Sequence, residues 1–117
     1  MSDSVVKDRS YDFALQVIAL YRQLVGQNEY VISRQLLKSG TSIGANIEEA
    51  MAGQSRADFL AKMSIASKEA RETNYWLRLL RDSNLIDAPV LQGLLAESEE
   101  ISKMLTSIVK TVKSSIK

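Results

Sequence analysis

Four stretches of this chain place apolar or small residues at alternating spacings of three and four, which is the pattern of one buried helix face. In the first, about residues 4–25, the stripe is Val6, Ser10, Phe13, Val17, Leu20 and Leu24, widened on one side by Ala14, Ile18, Tyr21 and Val25. In the second, about residues 29–52, Ile32, Leu36, Ser39, Ile43, Asn46 and Ala50 run beside Leu37, Gly40, Gly44, Ile47 and Met51. The third, about residues 56–83, carries Phe59, Met63, Ala66, Ala70, Thr73, Leu77 and Leu80, with Ile65, Trp76 and Leu79 on its flank. The fourth carries Leu91, Leu94, Ser98, Ile101, Leu105, Ile108 and Val112. Stripes this wide belong to helices of a globular bundle and exceed the seam of a two-stranded coiled coil. One proline and five glycines in 117 residues leave too few turns for a sheet of short strands.

Local punctuation separates the stripes. Gly26-Gln27-Asn28 ends the first, with glycine expected to take the left-handed backbone that closes many helices. Gly53-Gln54-Ser55 ends the second, and Ser55 followed by Asp58 resembles a capping box that starts the third. Asn84-Leu85-Ile86 ends the third. Asp87-Ala88-Pro89 then reads as a capping aspartate with proline in the first turn, where its missing N–H is harmless. The expected fold is all-α: one domain over residues 1–117, an up-down-up-down four-helix bundle with helices about 30–42 Å long.

The second stretch, RQLLKSGTSIGANIEEAM, is the unusual one. Each glycine inside a helix costs roughly 1 kcal/mol relative to alanine. Close approach of a neighbouring helix is the usual compensation; a break near Gly40-Thr41-Ser42 is the alternative. Asn46 and Ser39 are one heptad apart in the core stripe, and Thr73 holds a core position on the third helix. A buried amide left unsatisfied costs roughly 1–3 kcal/mol. Lys38, Ser39, Asn46, Glu49, Glu72 and Thr73 are therefore expected to share a structural polar network in which Asn46 fixes register, as a lone core asparagine does in coiled coils. Two other readings stay open: Asn46 contacts a ligand or nucleic acid, or it faces solvent.

Composition excludes several functions. There is no cysteine, which removes disulfides, zinc–thiolate sites and thiol catalysis. There is no histidine, the commonest metal ligand and general base. A di-iron bundle needs inward glutamates with Glu-x-x-His motifs, so Glu69 and Glu72, three apart, are left to meet a cation such as Lys38. No catalytic, metal-ligating or cofactor-binding residue is expected. Net charge is +1, so only a local cluster could attract a polyanion. Lys68, Arg71, Arg78, Arg81, Lys110, Lys113 and Lys117 are the candidates, read either as a solvated face or as a patch for RNA or DNA phosphates. No apolar run reaches the roughly 18–20 residues of a membrane span, and the N-terminus lacks a signal peptide's hydrophobic segment. The expected compartment is the cytoplasm.

Gln35–Ala50, QLLKSGTSIGANIEEA, resembles the signature of the four-helix bundle proteins also called 23S rRNA-intervening-sequence proteins. The matching residues are Gln35, Leu36, Lys38, Ser39, Ser42, Ile43, Ala45, Asn46, Ile47, Glu49 and Ala50; Ala50 stands where many members carry glycine. The resemblance continues through SRADF at residues 55–59 and KEARETNYWL at residues 68–77, where Glu72, Tyr75 and Trp76 fit. It implies a left-handed up-down bundle, often assembled as a homopentameric ring. Some members are encoded inside insertions in rRNA genes. A related branch, the accessory variability proteins of diversity-generating retroelements, binds a reverse transcriptase and nucleic acid. The expected function is a non-enzymatic, homo-oligomeric scaffold or interaction protein, with RNA, DNA or a protein such as a reverse transcriptase as further partners. The alternative is a small-ligand-binding or enzymatic bundle with a polar core pocket around Asn46.

Overall fold

The computed structural model describes residues 2–87 and 89–116. Four helices account for nearly all of them: α1 (Ser2–Gly26), α2 (Val31–Met51), α3 (Arg56–Asp82) and α4 (Val90–Ile116). α1 packs on α2, α2 on α3, α3 on α4, and α4 closes on α1, while among the described residues the backbones of the diagonal pairs stay apart. This is an up-down-up-down bundle measuring 48 × 21 × 20 Å. One core runs its length. Phe13, Leu20, Ile43, Met63, Leu77 and Leu105 are among its fully buried large side chains.

The helix ends show how local chemistry sets the boundaries. α1 closes two residues later than its glycine suggests: no glycine among the described residues has a positive φ, and Asn28 (φ 66°) takes the left-handed conformation. The N–H of Glu29 donates to the Leu24 carbonyl, and that of Asn28 to the Val25 carbonyl, both at 2.9 Å. These two bonds form a Schellman closure whose left-handed position falls on residue 28, and asparagine tolerates that region. Asn84 (φ 57°) does the same after α3.

α2 starts on a cap that the sequence pattern hides. The Glu29 carboxylate accepts from the N–H groups of Val31, Ile32 and Ser33 at 3.1, 3.0 and 2.7 Å. Partial burial works against its ionisation, but these donors outweigh it and hold its pKa below the ordinary glutamate value. Ser55 caps α3 by accepting from the Asp58 N–H at 3.1 Å. α4 begins at Val90, directly after Pro89, whose carbonyl accepts from the Gln92 N–H. Of the expected start signal Asp87-Ala88-Pro89, Ala88 lies outside the described residues.

α2 is continuous through both glycines, so the break near Gly40 does not occur. The glycines are not equivalent. A Cβ on Gly40 would lie 2.8 and 2.9 Å from the two γ carbons of Val17 on α1. A Cβ on Gly44 would meet Ser10 atoms at 3.6 Å, an ordinary contact. Close helix approach therefore needs glycine at position 40 and only a small residue at 44.

Candidate functional site

The polar network expected around Asn46 contracts to two residues. The hydroxyls of Ser39 (α2) and Thr73 (α3), both buried, lie 2.8 Å apart, and Thr73 Oγ1 is also 2.7 Å from the Glu69 carbonyl. Each hydroxyl has one proton. The arrangement that uses both short contacts has Thr73 donating to Glu69 and Ser39 donating to Thr73. This pair ties α2 to α3 inside the core.

The other four expected members lie elsewhere. Asn46 is half-buried and donates from Nδ2 to the Ser42 carbonyl on its own helix at 2.8 Å. A straight helix drifts about 20° per heptad. Asn46, one heptad beyond Ser39, is thereby carried to the edge while Ile43 and Ile47 fill the core. Glu49 pairs with Lys62 of α3 at 2.9 Å on the surface. Glu72 accepts from Trp76 Nε1 at 3.1 Å, one turn along. Lys38 is exposed. Trp76 is half-buried and meets Tyr75 edge-on, with ring centroids 5.1 Å apart.

Glu69 is the one perturbed carboxyl on this side. Burial raises its pKa, Glu72 raises it further by repulsion, and Lys68 and Lys38 offset this only in part. Among the described residues no group of three or more carboxylates could hold a metal ion.

Two further ties between helices escaped sequence reasoning. Arg9 (α1) donates from Nε and Nη2 to the two carboxylate oxygens of Glu97 (α4) at 2.8 and 2.6 Å, a bidentate pair. Asn74 (α3) donates from Nδ2 to Ser98 Oγ (α4) at 2.8 Å, and its Oδ1 accepts from Arg78. The α2–α3, α3–α4 and α4–α1 seams are thus each fixed by a side-chain hydrogen bond. The α1–α2 seam is fixed by the fit of Val17 against Gly40.

The candidate phosphate-binding cations do not converge. Lys68, Arg71, Arg78, Arg81, Lys110 and Lys113 are all exposed; Lys117 lies outside the described residues. α3 and α4 are antiparallel, so Lys110 and Lys113 lie level with the start of α3 and Arg81 with its end. The set is strung over roughly 30 Å. Arg81 is engaged by Asp82 at 2.7 Å. Arg78 is held by Asn74 and lies 5.7 Å from the centroid of the Tyr75 ring.

The outer face of α1 carries a feature of a different kind. Tyr11, Leu15 and Ile18, spaced four and three apart, are 60, 52 and 39% exposed. They form a second apolar stripe, turned away from the core. The sequence reading placed Ile18 on the flank of the core stripe; in the structure it belongs to this outer one.

The fold and its seams define an antiparallel four-helix bundle whose neighbouring helices are locked pairwise, with no helix among the described residues long and apolar enough to cross a membrane. Within that class, the chain belongs to the 23S rRNA-intervening sequence protein family, whose model matches residues 2–107. It is similar to a solved protein of unknown function from the S23 ribosomal protein family of Bacteroides thetaiotaomicron VPI-5482. The two are 52% identical, the match covers 94% of this chain and 99% of that one, and the TM-score is 0.89. No curated protein matches the chain.

Proposed function

We propose that this protein is a non-enzymatic scaffold that acts by assembling with copies of itself, the outer stripe of α1 being a surface where copies meet. The observation that carries this reading is the exposure of Tyr11, Leu15 and Ile18 on one helical line. An apolar surface of this kind gains by being covered, at about 25 cal/mol per Å² removed from water. A ring such as the homopentamer that the resemblance implies requires a heterologous contact, the stripe of one copy against a different face of the next. The non-enzymatic part of the reading rests on a sequence without histidine or cysteine.

Light scattering tests this. The wild-type chain is expected at a multiple of 13.0 kDa. Leu15→Lys is expected to shift it toward the monomer with its helical content unchanged. A monomeric wild type would overturn the proposal.

One observation favours nucleic acid as an additional partner: Lys68, Arg71, Lys110 and Lys113 form no ion pair among the described residues. In an assembly their spacing would be repeated around the ring, which raises the local positive potential. Mobility shifts with structured RNA and duplex DNA, run across salt concentrations, check this. Absence of binding to either at low salt would remove it. Retention of a protein such as a reverse transcriptase in nuclease-treated extracts would point to a protein partner in its place.

A further inference from the structure

We infer that the bundle carries a binding site for a single-chain amphiphilic anion, such as an aliphatic carboxylate, in a cleft at the end opposite the α1–α2 turn. The cleft has a volume of about 1370 Å³ and is walled by all four helices. Val5 on α1, Met51 on α2, Phe59 on α3 and Met104, Ile108 and Val112 on α4 supply an apolar lining. Two of these walls are methionines, whose unbranched side chains adapt to flexible apolar ligands. Ligand sites are typically concave and apolar with polar groups that fix orientation, and this lining combines an apolar wall with a set of polar side chains.

The charges on the lining give the chemical class. The chain has 15 basic and 14 acidic residues, and among the described residues the charged side chains lining the cleft are Arg56 and Lys103. Arg56 donates to Ser115 Oγ, which leaves its other guanidinium donors available. Lys103 is held only loosely, 3.6 Å from Glu100 at the surface. Ser55, Ser107 and Thr111 add hydroxyls to the same lining. An aliphatic tail among the methionines, with its carboxylate toward Arg56 and Lys103, satisfies both halves of this surface. A neutral lipid leaves the cations unused. A protein helix is about 10–12 Å across with its side chains, and the α4 wall from Lys103 to Val112 offers it only about two and a half turns. This site is independent of the α1 stripe on which the assembly proposal rests.

Calorimetric titration of the full chain with dodecanoate, kept below its micellar concentration, tests the inference, with dodecanol as the uncharged control. The expected result is one saturable site per chain and a preference for dodecanoate over dodecanol. Arg56→Gln combined with Lys103→Gln is expected to weaken dodecanoate at least about tenfold, the loss of one or two charge-assisted bonds, while leaving dodecanol unchanged. Met104→Trp, which fills the cleft, is expected to abolish binding of both with the bundle still folded by circular dichroism. Absence of saturable dodecanoate binding would overturn the inference, as would binding that survives Met104→Trp. A change in assembly mass on Met104→Trp, without ligand binding to wild type, would also overturn it by showing that a second copy fills the cleft. Leu15→Lys is expected to leave dodecanoate binding intact, so failure of the assembly proposal and failure of this one read out separately.

Discussion

Gly40→Ala and Gly44→Ala are the same chemical change, four residues apart on one helix, and they are expected to have opposite signs. Each gains roughly 1 kcal/mol of intrinsic helix propensity. At Gly44 the added Cβ meets Ser10 at 3.6 Å, so the gain is kept and the variant is more stable by about 1 kcal/mol. At Gly40 the added Cβ falls 2.8 Å from Val17, about 0.7 Å inside the favourable carbon–carbon range. Val17 cannot rotate away, because a β-branched residue in a helix has one strongly preferred rotamer and here both γ carbons are in the way. α1 must then retreat from α2 at an overpacking cost of typically 1–3 kcal/mol. The net effect is a loss of about 1 kcal/mol, or roughly 4 °C in Tm for a chain of this size. Thermal unfolding at one fixed protein concentration is the assay, since self-association shifts Tm by mass action. The cycle is closed with Val17→Ala. In that background the two γ carbons are gone and only the residue-17 Cβ remains, 3.3 Å away, so Gly40→Ala is expected to lose its destabilising effect, a change that isolates the pairwise term. Gly40→Ala stabilising in the wild-type background would refute the close approach of α1 and α2.

The remaining predictions concern polar groups. Thr73→Val leaves the buried Ser39 hydroxyl only its longer 3.5 Å contact to the Leu36 carbonyl and is expected to cost about 1 kcal/mol by denaturant unfolding, whereas Ser39→Ala with Thr73→Val removes both partners and is close to neutral. Glu29→Gln is expected to lose about 1 kcal/mol of capping. The folded pKa of Glu29 lies below its unfolded value, so its stabilisation is complete above the ordinary glutamate pKa of about 4.3 and disappears as pH falls through the folded value. The difference between wild type and Glu29→Gln should shrink in urea titrations over that acidic window. Glu69 has the opposite sign: its folded pKa is raised, chiefly by burial. Its ionised form therefore opposes folding above the folded pKa, and Glu69→Gln is expected to raise the unfolding midpoint at pH 7 but not near pH 3.

The stripes were legible because helix geometry is local. Val6, Ser10, Phe13, Val17, Leu20 and Leu24 are all buried, as their spacing requires, and the family signature sits where α2 meets its neighbours. What periodicity cannot show is direction at the edge of a stripe and pairing across the bundle. Asn46 sits in the stripe by spacing, yet accumulated drift turns its amide to its own backbone. Arg9 and Glu97 are 88 residues apart, and nothing local in either helix marks them as partners. Gly40 and Gly44 look alike in sequence and differ only by what α1 places opposite them. Glu29 was readable as a helix start but not as a triple acceptor, because glutamate seldom caps a helix from that position. The outer stripe of α1 was hidden for a simpler reason. Ile18 also fits the margin of the core stripe, and only the position of α2 decides which side is covered.

The central claim is that copies of the chain meet on that outer stripe. A single cysteine placed there tests it most directly, because the chain has none of its own. Ile18→Cys and the exposed control Thr106→Cys are each reacted with a maleimide under native conditions. The assembly account predicts that position 18 reacts many-fold more slowly than position 106, and that adding Leu15→Lys removes the difference. Equal rates at the two positions in the otherwise wild-type chain, unaltered by Leu15→Lys, would contradict it.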